Sequence, residues 1–113
     1  MARIPEQIIT PQQLTTSNAV LYTVPVNRTT IITRISLTNT SATDRFVDLH
    51  LVPSGSSVLD SNKIVDGEFV AAGETLSPIQ VEGQVILESS TIQGSAEANS
   101  AITIIGSGTE VTN

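Results

Sequence analysis

Apolar and polar positions alternate with a period of two over several stretches of this sequence, and turn residues separate the stretches. The clearest are residues 30–38 and 45–52. In the first, Ile31, Thr33, Ile35 and Leu37 share one face while Arg34, Ser36 and Thr38 share the other. In the second, Val47, Leu49 and Leu51 alternate with Phe46, Asp48 and His50. Successive side chains of a strand point to opposite faces, so each pattern predicts a half-buried strand of an antiparallel sheet.

The same reading places further strands at residues 20–24, 63–65, 75–81, 84–88, 91–96 and 101–105. Turn chemistry lies between them: Pro25 and Asn27-Arg28, Asn39-Thr40-Ser41, Pro53-Ser54-Gly55, Asp66-Gly67, Ala72-Gly73-Glu74 and Glu82-Gly83. Pro78 marks an edge or a bulge, because proline cannot donate to a ladder. Gly106-Ser107-Gly108 reads as the start of a flexible tail. Some eight short strands separated by turns predict an all-β protein, a single antiparallel β-sandwich of immunoglobulin-like or jelly-roll type. Residues 14–113 form that domain. Residues 1–13 are polar and twice broken, at Pro5 and Pro11, and predict an extended N-terminal arm with Ile4, Ile8 and Ile9 as its only sizeable apolar side chains.

Composition agrees with strand. Ser and Thr supply 28 of 113 residues, and Thr, Val and Ile, stiff at their first side-chain torsion, fit a pleated surface better than a helix. No stretch approaches the ~20 apolar residues of a helical membrane span, and the N-terminus has no apolar run of signal-peptide length. Eleven acidic residues against five basic give a net charge of −6. A phosphate backbone needs clustered Lys and Arg, whereas Arg3, Arg28, Arg34, Arg45 and Lys63 are scattered. Neither nucleic acid nor membrane is an expected partner.

Candidate chemistry is thin. The chain has no Cys, which removes disulfides and thiolate metal sites, and His50 is the one His, with Asp48 on the same strand face as a conceivable orienting carboxylate. One His without Cys makes neither the usual triad nor a zinc set. Asp60 and Asn62 match the first two ligands of an EF-hand loop, but Ile64 replaces the third and Val65 stands at the glycine position, so residues 60–68 read as a solvated loop. Tyr22, Phe46 and Phe69 are few for a sugar platform. The expectation is a protein that is not an enzyme and holds no cofactor.

The order Leu21-Tyr22-Thr23-Val24-Pro25, Thr38-Asn39-Thr40-Ser41, Leu49-His50-Leu51-Val52-Pro53-Ser54-Gly55 and Ala72-Gly73-Glu74-Thr75-Leu76 resembles the small β-sandwich structural proteins encoded in tailed-bacteriophage genomes. The likeness runs over roughly residues 17–111 and departs at Ser56-Ser57-Val58-Leu59-Asp60, where those proteins often carry a small-residue connection. The resemblance implies a virion component, assembled in the bacterial host cytoplasm. Its first reading is a capsid decoration (cement) protein bound to the major capsid protein as a homo-oligomer, a trimer suiting a shell's local threefold points. Its second is a tail or fibre module that recognises a host-surface glycan. In the first reading the arm, through Ile4, Ile8 and Ile9, is the partner-binding element.

Overall fold

Antiparallel pairing gathers the strands into two sheets, in the computed structural model of the chain, which describes residues 2–113. The strands are β1 (Arg3–Gln13), β2 (Ala19–Thr23), β3 (Arg28–Asn39), β4 (Arg45–Val52), β5 (Lys63–Val70), β6 (Thr75–Leu76), β7 (Val85–Ile86), β8 (Thr91–Ala96) and β9 (Ile102–Thr112). One sheet runs β1-β9-β3-β6, with β7 also on β3, and the other runs β2-β8-β4-β5. β6 pairs with Leu37 and Thr38, and β7 with Thr30 and Ile31. These two short pieces therefore act as one interrupted strand along the same edge of β3. Counting them as one leaves two four-stranded sheets, and every other connection except β4 to β5 crosses between them. Of the two expected sandwich types, this order is that of a jelly roll.

The core lies between the sheets. Ile9, Ile32, Ile35, Leu37 and Ile104 from one face meet Leu49, Val65 and Ile92 from the other, each fully buried. Fully burying a side chain of this size stabilises by roughly 1.5–3 kcal/mol.

The N-terminal arm is a correction. Residues 3–13 form β1, an edge strand paired along β9 from Arg3↔Val111 to Gln13↔Thr103, while Met1 lies outside the described residues. Ile8 and Ile9 are buried in the core and Ile4 is half-buried, so the first two are not free to bind a partner. The prolines suggested an arm, yet an edge strand tolerates proline wherever its N–H would face outward. Register breaks between Glu6 and Ile9 and between Ile9 and Gln12 turn the adjacent Ile8 and Ile9 both inward.

The C-terminal tail is a second correction. Gly106, Ser107 and Gly108 lie within β9, between β1 and β3 in the middle of the sheet. Their glycines serve close approach. A Cβ on Gly108 would stand 2.7 Å from the Ile31 carbonyl oxygen, and one on Gly106 would stand 3.1 Å from Ile9 side-chain atoms.

Two further expectations shift by one residue for the same kind of reason. In β3, Ile32 pairs with Gly108 and Arg34 with Ser107, so Thr33 is the extra residue of a bulge. Upstream of it the phase inverts: Thr30 and Ile32 are buried while Ile31 is half-buried and Thr33 exposed. Downstream, Ile35 and Leu37 point inward as expected. Asp66-Gly67 is a bulge as well, not a turn. Gly67 adopts φ 56°, Leu49 and Val47 pair with Val65 and Glu68, and β5 continues to Val70. The strand expected at residues 75–81 stops at Leu76, where Ser77 and Pro78 lead into a 3₁₀ turn at Ile79–Val81.

Candidate functional site

Three places hold the polar groups and hollows from which a function could be built. The first is the His50 region. His50 is buried, and its Nδ1 lies 3.0 Å from Asn62 Oδ1. The same Oδ1 accepts the Leu59 N–H while the Asn62 amide nitrogen donates to the Ser57 carbonyl, which fixes the amide's orientation and makes His50 Nδ1 the donor. Asp48 faces elsewhere: its Oδ1 accepts the Gly67 N–H at 2.6 Å and lies 3.8 Å from Lys63 Nζ. His50 and Asp48, on one face in the sequence, are not joined by a hydrogen bond in the fold. His50 pins the 53–62 loop to β4.

Below that loop lies an open hollow of about 480 Å³ lined by Asp60, Lys63, Ile64 and Asp66. Lys63 Nζ donates to Asp66 Oδ1 at 3.0 Å. That bond, with the Asp48 charge behind it, raises the Lys63 pKa above its ordinary value. An ammonium thus sits among the carboxylates that resembled a calcium loop. Among the described residues, no three His, Asp or Glu side chains group as a metal ion would require.

The second place is an inter-sheet cluster at one end of the sandwich. Tyr22 of β2 reaches from its own sheet to β9, where its hydroxyl donates to Glu110 Oε2 at 2.5 Å. Arg28 donates to the other carboxylate oxygen, and Thr30 Oγ1 lies 2.7 Å from the Tyr22 oxygen. The phenol has one proton and the carboxylate claims it, so Thr30 is the donor to Tyr22. Burial, reinforced by the bond to Glu110, pushes the Tyr22 pKa well up. Near the other end of β3, Asn39 Nδ2 donates to the Val70 and Thr43 carbonyls, and its Oδ1 accepts from Ser41. Among the described residues every buried side-chain nitrogen and oxygen has a partner. The sequence reading missed Glu110, Arg28, Thr30 and Asn39. Glu110 fell in the supposed tail, and nothing in the local pattern marks the others.

The third place is a hollow of about 200 Å³ between the end of β5 and the start of β6. Phe69 and Leu76 supply its apolar lining, with the buried Val70 behind them, and Asp44 and Glu74 are its acidic residues. Beside it, on the outer face of the β4–β5 pair, Phe46 and Phe69 pack ring to ring with centroids 4.0 Å apart and planes tilted by 34°. Both rings are substantially exposed. Of the residues weighed from the sequence, the fold brings Phe46 and Phe69 together and places Tyr22 in the buried cluster.

No protein-family model matches the sequence, and no curated protein does either. Among solved structures, the chain is similar to one from Bacillus endospore appendages, described as a novel family of disulfide-linked pili. The TM-score is 0.59 at 12% identity, covering 97% of this chain and 88% of that one. The likeness extends over the whole sandwich, β1 included, and shows that the fold is shared with a protein of a structural appendage.

Proposed function

We propose that this protein is a structural subunit of a bacteriophage virion, a decoration protein that binds the head shell and stabilises it. The observation that carries this reading is the fold's likeness, over nearly the whole chain, to a protein that forms pili. The motif order from Leu21 to Leu76 supports the phage setting. In this reading the partner is the major capsid protein and the subunit is a homo-oligomer, with trimers at the shell's local threefold points. The pili of the structural neighbour are disulfide-linked, whereas this chain has no Cys. Assembly in this reading uses no disulfide of this chain and draws on side-chain packing and main-chain pairing along sheet edges, which ask for no special side chains.

A second reading, a tail or fibre component that touches a host surface, is favoured by the fibrous character of that neighbour and by the exposed Phe46–Phe69 pair. Quantitative mass spectrometry of purified particles from the phage that encodes this chain separates the two. A decoration protein is present in numbers comparable to the shell protein. A tail or fibre component is present in a small fixed number. Absence from the particle overturns both.

A further inference from the structure

We propose that the hollow between β5 and β6 is a receptor for a basic side chain, an arginine before a lysine, presented by a partner protein. The inference rests on the assembly reading above for who the partner is, and on the geometry for what it presents.

β5 is the last strand of one sheet and β6 lies on the outer edge of the other, so the hollow opens where the sandwich carries no further strand. Its floor is anchored: Leu76 packs against the core, and Val70, 1% exposed, is buried behind it. Phe69, by contrast, is 58% exposed, and its stacking on Phe46 holds the ring in place. The carboxylates stand on pinned backbone. Asp44 Oδ1 accepts the Ala72 N–H at 3.0 Å, which leaves its second oxygen available. Glu74 is held through its main chain, its N–H on the Ala71 carbonyl and its carbonyl accepting from Asn39. Among the described residues no hydrogen bond or ion pair engages the Glu74 carboxylate. Arg45, next in sequence to Asp44, directs its Nε to Ser41 Oγ at 3.3 Å.

An apolar lining beside an aromatic ring, closed by two carboxylates, matches a side chain with an aliphatic stem and a cationic head. Arginine fits better than lysine, because its planar guanidinium both stacks on a ring and forks onto carboxylates. Charge points to a partner other than a second copy. The chain carries −6, and three of its five basic residues, Arg28, Arg34 and Lys63, lie in ion pairs of their own.

The test uses the isolated full chain. The ¹⁵N-labelled protein is titrated with N-acetyl-arginine amide, with its neutral isostere N-acetyl-citrulline amide, and with methyl galactoside. The expected result is a saturating set of amide shifts at Asp44 and from Phe69 to Leu76 with the arginine probe. The response should weaken at least about fivefold with citrulline, and equally on Glu74→Gln or Phe69→Ala. Both positions are exposed, so thermal melts confirm that the variants stay folded. No shift up to the probe's solubility limit, equal shifts from citrulline, or a stronger response to the galactoside overturns the proposal. Because no particle is involved, this failure is distinct from absence of the protein from virions, which would remove the assembly reading and leave the pocket standing.

Discussion

The Tyr22 hydroxyl, carried by the β2-β8-β4-β5 sheet, donates its proton to the Glu110 carboxylate of the opposite sheet at 2.5 Å. Glu110 is only 5% exposed, and its second oxygen is taken by Arg28. A buried carboxylate is costly unless paired and hydrogen-bonded, so the four side chains of this cluster stand or fall together. The cluster clamps the β2 side of one sheet to β9 and β3 of the other.

Tyr22→Phe should lower stability by about 1–3 kcal/mol, the cost of leaving a buried acceptor short of its donor. The pH dependence is the sharper signature. The folded-state pKa of Tyr22 is raised, so the folded protein holds this proton more tightly than the unfolded chain does. Its contribution is complete below the ordinary phenol value of about 10 and is lost as pH climbs toward the raised value. Lys63, also raised, gives a loss of the same sign, and that loss persists in the variant. Urea midpoints measured from pH 8 to 11.5 should therefore fall less steeply for Tyr22→Phe than for the wild type; parallel curves would show that the phenol does not couple to folding.

Gly108→Ala should cost about 1–3 kcal/mol, the range for overpacking a filled site. The new methyl would meet the Ile31 carbonyl oxygen at 2.7 Å, and that carbonyl belongs to a paired strand. Gly106→Ala should cost less, because its contacts, at 3.1 Å to Ile9 Cβ, Cγ1 and Cδ1, ask the neighbour to give by far less than the 2.7 Å clash at Gly108 does. Thermal or urea unfolding of the two variants checks the order. Gly106→Ala as the worse of the two would mean that the β1 side of the sheet is the stiffer.

Asn39→Ala should be among the most damaging polar substitutions. Its amide satisfies the Val70 and Thr43 carbonyls and the Ser41 N–H, tying β3 to the end of β5 in the other sheet. Removing it orphans the buried Val70 carbonyl at about 1–3 kcal/mol, and two part-buried groups, the Thr43 carbonyl and the Ser41 N–H, that water can partly satisfy. Asn39→Asp, which can accept but not donate, should recover only the Ser41 end. Denaturation of both variants tests this, and a loss under about 1 kcal/mol for Asn39→Ala would show that water replaces the amide.

What the sequence made legible divides along a physical line. Period-two alternation is a local property, and it located β4 with its inward Val47 and Leu49, β8 to the residue, and the all-β sandwich as a whole. Bulges are set by the partner strand: Thr33 carries no local sign of one and inverted half of β3, while Asp66-Gly67, a pair that serves turns and bulges alike, passed for a turn. Glycines 106 and 108 looked flexible because the reason for them, Ile8, Ile9 and the Ile31 carbonyl, is remote in sequence. The hollow beside Phe69 was out of reach for the same reason. Asp44 and Phe69 become neighbours only when β4 pairs with β5, and the turn after Val70 then brings Glu74 beside them.

The fate of β1 decides how the chain meets its neighbours. Were residues 1–13 an arm, their removal would leave a folded sandwich. Instead Ile9 is fully buried against Gly106, and β1 covers the whole length of β9. Deletion would strip one edge of the central strand and uncover apolar core in a single step. The truncated chain should therefore lose its cooperative melt or fail to remain soluble. Point variants resolve the cause without removing backbone: Ile9→Ala should cost about 2–5 kcal/mol, the range for truncating a well-packed core residue, and the half-buried Ile4→Ala much less. Equilibrium urea denaturation gives both values. A truncated chain that melts sharply, with Ile9→Ala within about 1 kcal/mol of wild type, would show that β1 is separable, and would return Ile4, Ile8 and Ile9 to the surface as groups a partner could use.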